Sequence, residues 1–243
     1  QRIIECLSLF AQFVSINTKV IVEDILSQFN NNSSSLRASL LRALENIFSC
    51  KTPSSALVKV VEDICLEQLQ CRKVIVRKQA LSLLSRVSDS PKLQLIFSRS
   101  CELDPDPRVR CMAFQGILTL HQRKNLLNID LYRRAVEGMN DDNEQVKLYA
   151  LELMWILCNL HPLHVFTTKK DEKTRLIDDG FIRICNMVND ISFHVRAKAS
   201  RLLGGLRGVS TQYLLQAFSK ESFGRGSKMK LSRTKSNDVS AAG

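Results

Sequence analysis

His161 and His164 stand three residues apart in the segment HPLH and could place two imidazoles on one metal ion. A zinc site takes three or four protein ligands, and no third lies near them in the sequence. His121 and His194 sit beside no cysteine or carboxylate spaced as a nucleophile and its base. The chain carries no GxxxxGK[ST], GxSxG or HExxH. Gly204-Gly205 lacks the preceding strand that a dinucleotide loop requires. The eight cysteines, Cys6, Cys50, Cys65, Cys71, Cys101, Cys111, Cys158 and Cys185, form no CxxC pair. Most lie in helical phase among Leu, Ile and Val, where a free cysteine acts as a small buried apolar residue. Such usage fits a reducing compartment better than a disulfide framework. The chain therefore reads as non-catalytic, with no cofactor.

Charge is the next candidate for chemistry. The 243 residues carry a formal net charge of +11. Residues 220–243 hold six basic and two acidic residues, so the tail contributes +4 and residues 1–219 contribute +7. A basic balance points to nucleic acid, an inositol phosphate or an acidic protein surface. The competing explanation is that Lys and Arg solvate helix faces. The pairs Arg72-Lys73, Arg133-Arg134 and Lys169-Lys170 and the tail residues Arg225, Lys228, Lys230, Arg233 and Lys235 are the candidate polyanion or partner contacts. Aromatic residues that would stack bases are missing from the tail, apart from Phe223. No apolar run is long enough to span a bilayer, so no membrane role is expected. The chain opens on Gln1 in QRIIECLSLFAQFV and closes on DVSAAG, and it is expected to be a piece of a longer protein.

The elements that must position these residues are helices. Ile3, Leu7, Phe10 and Val14 recur at helical spacing over 2–14, and Ile21, Ile25, Leu26 and Phe29 do so over 18–29. After the turn Asn30–Ser35, Leu40, Leu41, Leu44, Ile47 and Phe48 mark a helix opened by Leu36-Arg37. Further helices are predicted over 55–70, from Val76, over 92–102, from Val109, over 128–139, from Val146, over 174–188, over 193–206 and over 210–219. Pro53, Pro91, Pro105 and Pro107 punctuate them. The connection from about His161 to Lys173 is much longer than the others, and long loops in compact arrays usually bind something. Trp155, at helical spacing in an apolar run, is predicted to lie in the core. From Lys220 onward apolar periodicity stops, and a disordered tail is expected over 220–243.

The helices share a register. Leu36, Val76, Val109, Val146 and Val195 fill one column, and Arg37, Arg77, Arg110, Lys147 and Arg196 fill the next. Four positions after the first column stand Leu40, Ala80, Ala113, Ala150 and Ala199. Five positions before it stand Asn31, Cys71, Asp104, Asp141 and Asp190. The units recur at intervals of 40, 33, 37 and 49 residues. A two-helix unit at such a period indicates an α-solenoid, because one amphipathic pair cannot bury its stripe without neighbours. The expected fold is all-α, an α-solenoid over 1–219 with about five to six repeats. A turn Asp can accept from helix N-terminal amides, and a basic residue six positions on can reach it in its own or the neighbouring unit.

This column resembles the HEAT repeat, whose second helix carries an Asp…Val-Arg…Ala pattern and whose Asp and Arg form a ladder between successive units. The resemblance implies ladder roles for Asp104 and Arg110, Asp141 and Lys147, and Asp190 and Arg196. Asn31 and Cys71 depart from the acid column, and no rung is carried over to them.

Residues 140–162 (NDDNEQVKLYALELMWILCNLHP) and 175–221 (RLIDDGFIRICNMVNDISFHVRAKASRLLGGLRGVSTQYLLQAFSKE) go further. With DPDPRVR at 104–110, they resemble the HEAT-repeat region of the Integrator complex subunit 4 family. Trp155, and Asp178-Asp179 ahead of Phe181 and Cys185, strengthen the likeness. The family implies a nuclear, non-catalytic scaffold that joins Integrator subunits 9 and 11, of metallo-β-lactamase fold, in an RNA-cleaving module. That module processes small nuclear RNA 3′ ends and attenuates transcription, and its metal ligands belong to the partner. The alternative is a basic solenoid that binds RNA or another polyanion directly.

Overall fold

The computed structural model of the protein describes residues 18–31, 33–50, 54–88, 90–167 and 173–218. The helix expected over 2–14, the pair Lys169-Lys170 and the whole tail 220–243 lie outside those residues. Within them the chain runs as helix pairs. The first helices of the pairs are α1 (Thr18–Ser27, continued by a 3₁₀ turn over Gln28–Asn31), α3 (Ser55–Gln68), α5 (Leu93–Leu103), α7 (Leu131–Gly138) and α9 (Leu176–Met187). The second helices are α2 (Ser34–Cys50), α4 (Val74–Val87), α6 (Pro107–Gln122), α8 (Glu144–Leu160) and α10 (Phe193–Leu203). A final helix, α11 (Thr211–Phe218), packs on α9.

The second helices make one continuous stack: α2 on α4, α4 on α6, α6 on α8 and α8 on α10. The repeat columns explain why. Val76, Val109, Val146 and Val195 are buried, and so are Ala80, Ala113, Ala150 and Ala199. A methyl side chain at the crossing lets two helices approach without a void. The first helices cover the stack, and residues from every pair merge into one apolar core. Each unit thus buries its stripe mainly against its neighbours, the defining property of a solenoid. Gly138, at the end of α7, marks the tightest fit. A Cβ there would lie 2.8 Å from the Ala150 Cβ and 2.5 Å from the Phe114 ring, so only glycine lets α7 close on α6 and α8.

Local signals set the starts of the second helices. Asp106 accepts from the Arg108 amide ahead of Pro107, Asn143 from the amides of Gln145 and Val146, and Ser192 from the amide of Val195. These are N-caps, each two residues after the turn Asp. The turn Asp itself is not the cap. Asp104, Asp141 and Asp190 accept instead from the amides of Asp106, Asn143 and Ser192, and so close the turn that presents the cap.

Two expectations change. The connection 161–173 holds a two-stranded antiparallel ribbon, β1 (Val165–Thr167) and β2 (Lys173–Arg175), with Val165 opposite Arg175. Strands of three residues are too short to show a period of two. Trp155 is only partly buried. It packs against the core and lies against Gly205, where a Cβ would stand 3.1 Å from the indole Nε1, so Gly205, just after α10, seats the indole. Among the described residues no helix is long and apolar enough to cross a membrane.

Candidate functional site

The basic column reaches across units. Arg77 Nε and Nη2 donate to the two carboxylate oxygens of Asp104 at 2.7 and 2.9 Å. Arg110 repeats this on Asp141 at 2.8 and 2.9 Å. Lys147 donates from Nζ to Asp190 at 2.7 Å. In each rung the cation belongs to one helix pair and the acid to the next. The remaining guanidinium nitrogen turns back on its own unit. Arg77 Nη1 donates to the carbonyls of Cys71 and Arg72, and Arg110 Nη1 to those of Asp104 and Pro105. The same-unit pairs Asp104/Arg110 and Asp190/Arg196 therefore meet through the acid's main-chain carbonyl, while its carboxylate serves the preceding unit.

All six rung side chains are largely withdrawn from water. The Asp104 hydrogen bond raises the Arg77 pKa and the Asp141 bond raises that of Arg110, each against the opposing effect of burial. Burial works against the Asp190 charge. The Lys147 hydrogen bond, the Ser192 amide and the charges of Lys147 and Arg196 together outweigh it and hold that carboxyl below its ordinary value.

The two ends of the ladder differ. Arg37 finds no acid where Cys71 occupies the column, and its Nη1 donates instead to the neutral Gln68 amide at 3.2 Å. Its Nε is buried without a partner. Cys71 does not weaken the following rung, because Arg77 takes its carboxylate from the next unit. At the other end Arg196 Nη1 donates to the carbonyls of Asp190 and Ile191, both at 2.9 Å, as its counterparts do. No carboxylate meets its Nε and Nη2 among the described residues.

A second polar cluster pins α9. Asp178 is 2% exposed. It accepts from Arg175 Nε and Nη2, and from both the amide and the hydroxyl of Ser210. Burial opposes its charge, but the Arg175 and Ser210 hydrogen bonds lower its pKa on balance. This clasp ties the start of α11 to the start of α9. Next to it Asp179 accepts from the Tyr132 hydroxyl of α7. Burial, then the Asp179 charge, pushes the Tyr132 pKa up. The ribbon closes over this contact, with the Phe166 ring 5.6 Å from that of Tyr132. His161 Nε2 stands 3.1 Å from the Leu127 carbonyl, which only accepts, so that nitrogen carries the proton. The long connection is thus fastened to α7 and α9. The spacing of Asp178-Asp179 was visible in the sequence. Their partners in Ser210 and Tyr132, 32 and 47 residues away, carried no signal there.

The other candidate cations divide. Arg134 is buried between Glu102 and Glu137, and Arg133 pairs with Glu137 on the surface of α7. Arg72 and Lys73 are exposed at the turn before α4. Lys169, Lys170, Arg225, Lys228, Lys230, Arg233 and Lys235 lie outside the described residues. Among the described residues no three His, Cys, Asp or Glu side chains gather as a metal site. Burial raises the Cys65 and Cys101 thiols far above their ordinary value and the Cys158 thiol to about 12. They are packing groups, not nucleophiles.

No family model matches the chain. An engineered protein of known structure superposes with a TM-score of 0.54 at 15% identity, covering 83% of this chain and 87% of that one, a likeness of fold alone. Integrator complex subunit 4 of Homo sapiens is 30% identical over 234 residues, 90% of this chain and 24% of that protein. The Drosophila melanogaster subunit 4 is 33% identical over 165 residues, 66% of this chain and 16% of that protein. The Dictyostelium discoideum homolog is 33% identical over 174 residues, 69% of this chain and 14% of that protein. The chain spans about a quarter or less of the length of these curated relatives. Over the segment it shares with them, this helical-repeat chain belongs to the Integrator complex subunit 4 family.

Proposed function

We propose that the chain is a non-catalytic scaffold segment of an Integrator complex, acting in the nucleus. It holds the RNA endonuclease module, formed by subunits 9 and 11, for small nuclear RNA 3′-end processing and transcription attenuation. The observation that carries this reading is the match to Integrator complex subunit 4 along 90% of the chain. The ladder supports it physically. Repeat units joined only by apolar packing can slide and twist. Side-on carboxylate–guanidinium pairs at successive turns fix the register of each unit on the next. A scaffold needs that rigidity to hold two partners at a set separation. The scarcity of free cations along the ladder favours this over direct RNA binding, since Arg77, Arg110 and Lys147 are committed to carboxylates.

The test is depletion of the full-length protein that contains this segment, followed by rescue. Wild-type protein should restore correct small nuclear RNA 3′ ends. A variant with both Arg77 and Arg110 changed to Ala should leave 3′-extended transcripts, although the nuclease subunits are intact. Normal 3′ ends after depletion would overturn the proposal.

A further inference from the structure

Positive charge is not spread evenly over the two helix layers. The five second helices, α2, α4, α6, α8 and α10, carry eleven Lys or Arg and three Glu. The five first helices carry six Lys or Arg and nine Asp or Glu. All three glutamates of the second layer are engaged. Glu45 meets Arg86, Glu152 meets Lys198, and Glu144 accepts from Ser192. The first helices cover one face of this basic layer, and the opposite face is open among the described residues.

The repeat register tells which residues line that open face. Three positions after the first column stand Gln79, Met112, Tyr149 and Lys198, and six after it stand Ser82, Gln115, Glu152 and Arg201. Gln79 and Ser82 donate to Glu45 of α2, and Lys198 donates to Glu152 of α8, so these columns form the strip where second helices meet at the surface. In the middle of the strip the polar crossings give way to Met112 and Tyr149, both half-buried, with Gln115 exposed one turn after Met112. Lys78 on α4 and Arg201 on α10 flank this apolar middle. Both are exposed, and neither meets a carboxylate among the described residues. Burial raises the Cys111 thiol of α6 to about 11 and the Lys78 charge opposes it, which places Lys78 on the α6 side of its helix.

A complementary occupant is acidic at its ends and apolar at its centre. Neighbouring helix axes lie about 8–10 Å apart. The strip from α4 to α10 is therefore about 27 Å long, the reach of an extended segment of about eight residues. A nucleic acid carries a phosphate at every nucleotide and is held by cations along its whole track. Between Lys78 and Arg201 the strip offers no such track, since Arg108, Arg110 and Lys147 are held by Asp106, Asp141 and Asp190. Met and Tyr, by contrast, are enriched at the centres of protein interfaces. The helices α4, α6 and α8 each have a second helix stacked on both sides, so the middle of the strip is interior to the array.

We propose that this strip binds an extended acidic segment of a protein partner. Carboxylates of the segment meet Lys78 and Arg201, and an apolar side chain between them lies on Met112 and Tyr149. This deepens the scaffold reading by placing one contact of the array, and rests on it in requiring a protein partner.

The test places the photo-crosslinker benzoylphenylalanine at position 115 of the full-length protein in cells. It compares wild type, the double variant Lys78→Glu with Arg201→Glu, Tyr149→Ser, and the first-layer surface control Lys59→Glu, with melting temperatures checked for each. The expected result is a ribonuclease-resistant crosslink to a partner peptide with acidic residues around an apolar one. Its yield should fall about tenfold or more in the double variant, the range expected on reversing charges that steer and hold a complementary partner. It should fall about fivefold in Tyr149→Ser, stay unchanged in Lys59→Glu, and recover in the double variant when the partner's acids are changed to Lys. A yield insensitive to the charge reversal or to Tyr149→Ser, a crosslink lost with ribonuclease, a partner peptide with no acid, a crosslink confined to this chain or a second copy of it, or no crosslink would each overturn the proposal. Co-purification of other Integrator subunits is scored in the same cells. Their absence sinks the scaffold reading, whereas their presence without a charge-dependent crosslink sinks only this docking strip.

Discussion

Arg110 in one helix pair grips Asp141 in the next with two parallel hydrogen bonds of 2.8 and 2.9 Å, and Asp141 also closes the turn that presents the Asn143 cap. One carboxylate therefore joins the units and shapes the start of the following helix. Arg110→Ala and Asp141→Ala are each expected to destabilise the fold by about 2–4 kcal/mol, since each strands a largely desolvated partner. The double variant should cost less than the two together, with a coupling of about 1–3 kcal/mol. Denaturant unfolding of the four proteins measures it. Strict additivity would mean the two side chains act independently.

The rung missing at Arg37 gives a complementary prediction. Cys71→Asp restores the acid at the column position where Asp104 serves Arg77. It should capture the Arg37 Nε that is now buried without a partner, raising stability by up to about 1 kcal/mol. A loss of stability on that substitution, or a gain that persists in Arg37→Met, would contradict the inter-unit register.

The α9–α8 contact predicts a steric coupling. A Cβ at Gly180 would strike the Cys158 sulfur. Gly180→Ala should cost about 1–3 kcal/mol by overpacking. Adding Cys158→Ala removes the obstructing atom and should recover part of that loss, which thermal melts would show.

Acid sensitivity follows from Asp190 and Asp178. Both have folded pKa values below their ordinary carboxyl value. Their contribution is fully present above the unfolded value of about 3.9 and is lost as pH falls through the lower folded values. The melting temperature should be level from pH 8 to 5 and drop below about pH 4. Asp190→Asn should flatten part of that drop. A melting temperature that rises on acidification would contradict the assignment.

The repeat was legible because a basic residue recurs at one offset in all five units, and Val and Ala recur beside it in four of them. Val195 and Ala199 could be placed in the core by their counterparts. The direction of the ladder was not legible. A basic residue six positions after an acid can close on its own turn or on the next one, and spacing alone does not choose. The clue lay in Arg77, whose own unit offers Cys71 and whose partner had to come from elsewhere. The ribbon over 165–175 escaped for a different reason. Phe166 of β1 packs on Tyr132, and Tyr132 in turn donates to Asp179, contacts between residues far apart in sequence. The clasp of Asp178 on Ser210 was hidden in the same way.

The central claim is tested most directly by affinity purification of the full-length protein containing this segment from nuclear extract at moderate salt, with quantification of what comes with it. The scaffold account predicts that Integrator subunits 9 and 11 co-purify in near-equal amounts with it and stay bound after ribonuclease treatment. Their absence, or their loss once RNA is digested, would contradict it.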